Sequence, residues 1–115
     1  MLIKISKATD NQLNYLLAVC EGKIIVKIVD GICYVNTYPF IGGSPYLPIT
    51  DYNTSVPIIY SQKIHTWEAN DNWYAGIYHT PETTKGEGKT PIRAAMHCYI
   101  KSKFGETAEV PDNLF

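Results

Sequence analysis

Gly88-Lys89-Thr90-Pro91-Ile92-Arg93-Ala94-Ala95-Met96-His97-Cys98-Tyr99-Ile100-Lys101-Ser102-Lys103-Phe104-Gly105 reads as one helix marked at both ends. The Thr90 hydroxyl is placed to accept a bond from a free N–H of the first turn. Pro91 then falls at the first helical position, where a missing N–H costs nothing. Gly105 suits the closing residue, and Lys101 and Lys103 suit the negative end of the helix dipole. At 100° per residue Ile92, Ala95, Met96, Tyr99 and Ile100 form one apolar stripe. Ala94 and Cys98 form a second face of small residues. Arg93, His97 and Lys101 make the one continuous polar strip. So much apolar circumference is more than a surface helix carries. The helix is therefore expected to pack on two sides, against a sheet and another helix.

The run Thr90 to Ile100, followed by Ser102-Lys103-Phe104-Gly105 and Glu109-Val110-Pro111, resembles the C-terminal signature of the phage NinX-like family, a small domain of unknown function from tailed phages and prophages. Leu13 to Gly22 fits the same family, as do Pro48-Ile49-Thr50-Asp51-Tyr52 and Pro57-Ile58-Ile59. The family more often has Ser and Trp where this chain has Ile49 and Tyr52. The resemblance implies a phage origin and a fold; it brings no catalytic residues.

Working outward, Leu2 to Ile5 alternates like a short strand. Thr9-Asp10-Asn11-Gln12 has the form of a capping box. Leu13, Leu16, Leu17 and Cys20 follow at helical spacing, and Gly22 ends that helix. Lys23 to Asn36 reads as a hairpin turning at Asp30-Gly31. Thr37 to Ser55, broken by Pro39, Gly42, Gly43, Pro45 and Pro48, reads as an irregular loop of a length that is usually functional or disordered, with an aromatic content that argues against disorder. Pro57 to Tyr60 is a short segment. Ile64 to Ala69 and Trp73 to His79 read as a second hairpin about an Asn70–Asn72 turn. Thr80 to Lys89 is a polar loop leading to the last helix. The order of helix, hairpin, loop, hairpin, helix predicts an α+β fold, with an antiparallel sheet of two hairpins covered on one face by the two helices.

At 115 residues the chain is expected to be a single domain, 1–115, with enough length to bury a core unaided. Its formal charge of −1 argues against general nucleic-acid binding. It has no apolar run long enough for a membrane span, and Met1-Leu2-Ile3-Lys4 is expected to open directly into structure without a signal peptide. Cys20, Cys33 and Cys98 are odd in number and widely spaced, as expected of reduced, partly buried thiols in the host cytoplasm. No Cys or His pair has metal-ligand spacing, so no metal or cofactor is expected. The carboxylates are scattered and Cys98 lies on a small-residue face, so catalysis is not expected either.

Nine tyrosines are the unusual feature, five of them from Tyr34 to Tyr60. Tyr has an apolar ring and a polar tip and serves cores and binding surfaces alike. Gly86-Glu87-Gly88-Lys89-Thr90 superficially resembles a P-loop, but Thr83 stands where the first glycine belongs. Free N–H groups at a helix start still attract anions. The candidate ligand-binding set is Lys89, Thr90 and Arg93 for phosphate, with Tyr46, Asp51, Tyr52, Trp67 and Trp73 around a base. The bland alternatives are a capped helix with Arg93 in a salt bridge, tryptophans covering the core, and Asp51 capping a turn. Trp67 and Trp73 are expected nearly opposite each other across the hairpin.

Two functions follow. One is a phage anti-defence protein that sequesters a small phosphorylated, nucleotide-derived immune signal. The other is a protein–protein inhibitor of a host enzyme, or an accessory factor in phage DNA metabolism, since interfaces favour the same residue types. A sheet edge and a tyrosine-rich loop also predict a homo-oligomer.

Overall fold

The computed structural model describes residues 1–37, 40–78 and 84–115, with the backbone alone at Phe40. The end of the expected strand at His79, the start of the expected polar loop at Thr80 to Thr83, and Tyr38 and Pro39 lie outside the described residues. Among the described residues the strands are β1 (Leu2–Lys4), β2 (Ile25–Val29), β3 (Ile32–Thr37), β4 (Phe40–Pro45), β5 (Ile64–Ala69), β6 (Asn72–Ile77), β7 (Gly86–Gly88) and β8 (Thr107–Glu109). The helices are α1 (Asp10–Cys20), α2 (Tyr52–Ser61) and α3 (Pro91–Phe104), and a 3-10 turn spans Ile5–Lys7. The fold is α+β.

The central helix α3 forms as its end signals require. The Thr90 hydroxyl accepts the Arg93 N–H at 3.1 Å, Pro91 opens the first turn, and Gly105 closes the helix at φ 80°. Ile92 and every residue from Ala94 to Ile100 are buried. The small-residue face explains how. β7 lies directly on it, and a Cβ at Gly86 would stand 2.2 Å from the Ala94 carbonyl oxygen and 2.4 Å from the Cys98 nitrogen. Only glycine lets two backbones approach so closely. α3 packs on β5, β6 and β7, and also on α1 and α2.

α1 has its capping box: Gln12 N–H donates to the Thr9 hydroxyl at 3.2 Å, and Thr9 N–H donates to Gln12 Oε1 at 2.9 Å. Leu13, Leu16 and Leu17 are fully buried. Buried Asn14 accepts the Ile49 N–H at 3.0 Å, tying the segment after β4 to this helix. β1 pairs antiparallel with β8, so the two ends of the chain meet.

The two hairpins are present but do not join into one sheet. The order is β2-β3-β4 in one antiparallel sheet and β5-β6-β7 in another, with β1-β8 separate. α1 packs on β3, whereas α3 packs on the second sheet, so the helices do not share one sheet face. Two more differences lie in the stretch expected to be irregular. Phe40 to Pro45 is a third strand, bent by a register shift, with Gly42 and Gly43 at positive φ. Tyr52 to Ser61 is a helix that contains Pro57. The proline removes the bond to the Asn53 carbonyl. Asp51 capping and burial of Ile58 outweigh that loss.

Candidate functional site

The polar strip of α3 borders a cleft. Its other walls are β7, the residue before it, the 3-10 turn and Glu106. Two adjoining cavities of about 430 and 390 Å³ share Ser6, Glu87 and His97. Tyr74, Lys85, Lys101 and Glu106 complete the first; Lys7, Asn72, Lys89 and Arg93 are on the second. Five cations and two carboxylates thus line a cleft on a chain whose formal charge is −1. Asp10 adds a third carboxylate just behind the wall, through its ion pair with Arg93 Nη2 at 2.5 Å. Lys101 Nζ donates to the Lys85 carbonyl at 3.2 Å and stands 3.6 Å from Glu106 Oε1.

His97 sits at the junction. It is 9% exposed and lines both cavities. Its ring makes no hydrogen bond within the described residues. Burial pushes its pKa below the usual 6.5, and Arg93 and Lys101, one turn away on either side, push the same way; Glu87 and Asp10 pull weakly upward. The imidazole is therefore neutral at pH 7, and its nitrogens are available to whatever enters the cleft.

Next to the cleft, the outer face of the β5–β6 hairpin carries stacked rings. Register decides which rings. Trp67 pairs with Tyr74, and Trp73 pairs with Glu68. The two tryptophans are thus not opposite but on opposite faces, because neighbouring residues of a strand alternate. Trp73 packs toward the core. Trp67 and Tyr74 stack at 6.0 Å, and His65 stacks on Trp67 at 5.4 Å. Gly76, across from His65, leaves room for that ring: a Cβ there would be 3.1 Å from His65 Cε1. The Lys85 ammonium lies 4.7 Å from the Tyr74 centroid and 5.8 Å from that of Trp67.

Lys89, Thr90 and Arg93 do come together, at the start of α3. The Arg93 stem lies against Gly88, the partner of Trp73 in the sheet. Tyr46, Asp51 and Tyr52 belong elsewhere. Tyr46 is 6% exposed and lines a separate cavity of about 380 Å³ with Glu21, Lys23 and residues of α2. Burial, with Glu21 nearby, raises its phenol pKa. Asp51 accepts the Asn53 N–H at 3.1 Å and the Thr54 hydroxyl at 2.8 Å, so it caps α2. Tyr52 is exposed on α2.

Burial pushes all three thiols up, Cys20 to about 11. That suppresses the nucleophilic thiolate. Among the described residues no group of three His, Cys, Asp or Glu side chains gathers as a metal site, and no helix is long and apolar enough to cross a membrane. Lys85, Tyr74, Ser6 and Glu106 were not legible as site residues. The polar strip was the available signal, since a histidine between two cations on an otherwise apolar helix needs a reason to be there.

None of the curated proteins compared with the chain matches it. Residues 4–103 match the family model described as Bacteriophage P22, NinX, and the chain belongs to that phage family.

Proposed function

We propose that this phage protein is an accessory factor that acts by binding rather than catalysis, and that it sequesters a small phosphorylated, nucleotide-derived immune signal in the host cytoplasm. The observation that carries this reading is the excess of cations around the neutral His97 in a cleft beside the Tyr74–Trp67 stack. Positive charge in a concave wall attracts phosphate, and ring faces take a base, at about 1–3 kcal/mol per stacked base in single-strand binders. Calorimetric titration with cyclic nucleotides, ADP-ribose derivatives and nucleoside monophosphates tests it. Arg93→Ala is expected to bind about tenfold more weakly, or about 1.4 kcal/mol. Its fold is expected to survive, because a half-exposed ion pair such as Arg93–Asp10 contributes at most about 1 kcal/mol. No binding by wild type across the panel would sink the reading.

A second reading has its own observation. Tyr52, Val56 and Tyr60 recur every fourth residue along α2 and are 60%, 38% and 79% exposed, on a helix without a charged side chain. That stripe supports contact with a host protein, or between copies of this chain in a homo-oligomer. Native mass spectrometry after expression in phage-defended cells separates the two readings by what is retained, a small molecule or a host protein. Light scattering that finds a monomer at all concentrations would remove the homo-oligomer.

A further inference from the structure

We infer that His97 makes the cleft selective for a terminal phosphomonoester over a phosphodiester, by taking up a proton as the ligand binds. This rests on the cleft being the phosphate site proposed above. His97 is nine-tenths buried, lines both cavities and has no hydrogen-bond partner of its own among the described residues. The two cations beside it on α3 are already matched, Arg93 by Asp10 of α1 and Lys101 by Glu106. Lys85 lies over Tyr74. Lys7 of the 3-10 turn and Lys89 before α3 remain at one end, and Glu87 of β7 faces the ring from the sheet.

Anionic ligands meet a wall whose fixed cations are partly spoken for, with a neutral imidazole at its centre. A phosphate oxygen against the ring changes that balance. The imidazole binds one proton from solvent and becomes a donor to the phosphate, and no other bond is made or broken. The gain grows with the charge of the ligand, because each added unit of charge favours the imidazolium by a similar Coulomb increment. Burial and the neighbouring cations hold the ring neutral beforehand. The ligand charge opposes both effects. A phosphomonoester carries close to two charges above its second pKa of about 6, whereas a diester carries one.

Adenosine 5′-monophosphate and 3′,5′-cyclic AMP share base and ribose and differ in this charge. Calorimetry of the wild-type protein with each, in two buffers of different ionisation enthalpy at about pH 7 and about pH 8, measures affinity and proton uptake together. The monophosphate is expected to bind about tenfold more tightly than the cyclic diester. Its affinity is expected to rise about threefold or more from pH 8 to pH 7, with about tenfold the ceiling for one linked proton. The His97 ring resonance, assigned by its loss in His97→Gln, is expected to titrate at higher pH with the monophosphate bound. His97→Gln is expected to lose proton uptake and pH dependence and to bind the monophosphate only about as tightly as the cyclic diester. Monophosphate binding without proton uptake, or equal affinity for the two probes, overturns the inference. So does failure of the monophosphate where another ligand of the panel binds; in each of these cases the cleft reading stands. No binding by any ligand overturns both.

Discussion

Sheets β2-β3-β4 and β5-β6-β7 each grow from a hairpin whose turn residues take positive φ, Asp30-Gly31 in the first and Asn70-Asp71 in the second. They part at the third strand. β4 stays paired with β3 on both sides of a register shift, and Ile41 within that irregularity is fully exposed. β7 is pressed onto α3 through Gly86, and fully buried Ala75 lies beside it in the sheet. The difference shows what a helix adds to a hairpin. Where strand backbone meets helix backbone, the polar strip of the helix is brought to the strand edge, and the His97 cleft results. The first sheet contains similar turn chemistry without that junction.

Placing a carboxylate in the heart of the second region is expected to have the largest effect. Met96→Asp puts an unpaired charge where the native side chain has no exposure, and is expected to cost more than about 4 kcal/mol and abolish soluble folded protein. A cooperative thermal transition in that variant would mean that α3 is not the core. Gly86→Ala comes next. The added methyl overlaps backbone atoms rather than a flexible side chain end, so about 3 kcal/mol of destabilisation is expected in urea unfolding. Wild-type stability there would remove the direct contact from the comparison.

The pH dependence of stability is smaller and has a defined sign. His97 has a lowered folded pKa, so its stabilising contribution is present above 6.5 and is lost as pH falls below it. Cys20 has a raised folded pKa, so its contribution is present below 9.0 and is lost as pH rises toward about 11. Melting temperatures are therefore expected to fall on both sides of that window. His97→Gln is expected to flatten the acid side alone; an unchanged acid slope in the variant would assign it to other groups. The smallest effect is reserved for the first sheet. Ile41→Ser, at a fully exposed position, is expected to shift stability by no more than about 0.5 kcal/mol, and a larger loss would show that β4 is covered in solution.

Both flanking helices, the capping box at Thr9–Gln12, the cap at Thr90, the Asp30-Gly31 turn and the two faces of α3 were readable from the sequence. All of these are local: they depend on residues within one turn or one heptad, and the physics of caps, turns and periodicity acts over that range. The helix α2 was hidden because Pro57 argues against it, and what outweighs that proline, beside the local Asp51 cap, is burial of Ile58 on a helix packed against α3 and β5, distant in the chain. β4 and β7 were hidden by their glycines, whose use lies in the strand or helix backbone they meet: the Val35 carbonyl for Gly43, and Ala94 and Cys98 for Gly86. The site divides in the same way. The sequence by itself determined that Arg93, His97 and Lys101 share one face of a helix. Only the tertiary structure decided that Lys85, Tyr74, Ser6 and Glu106 stand across from them, because a cleft is made by surfaces that no local rule brings together.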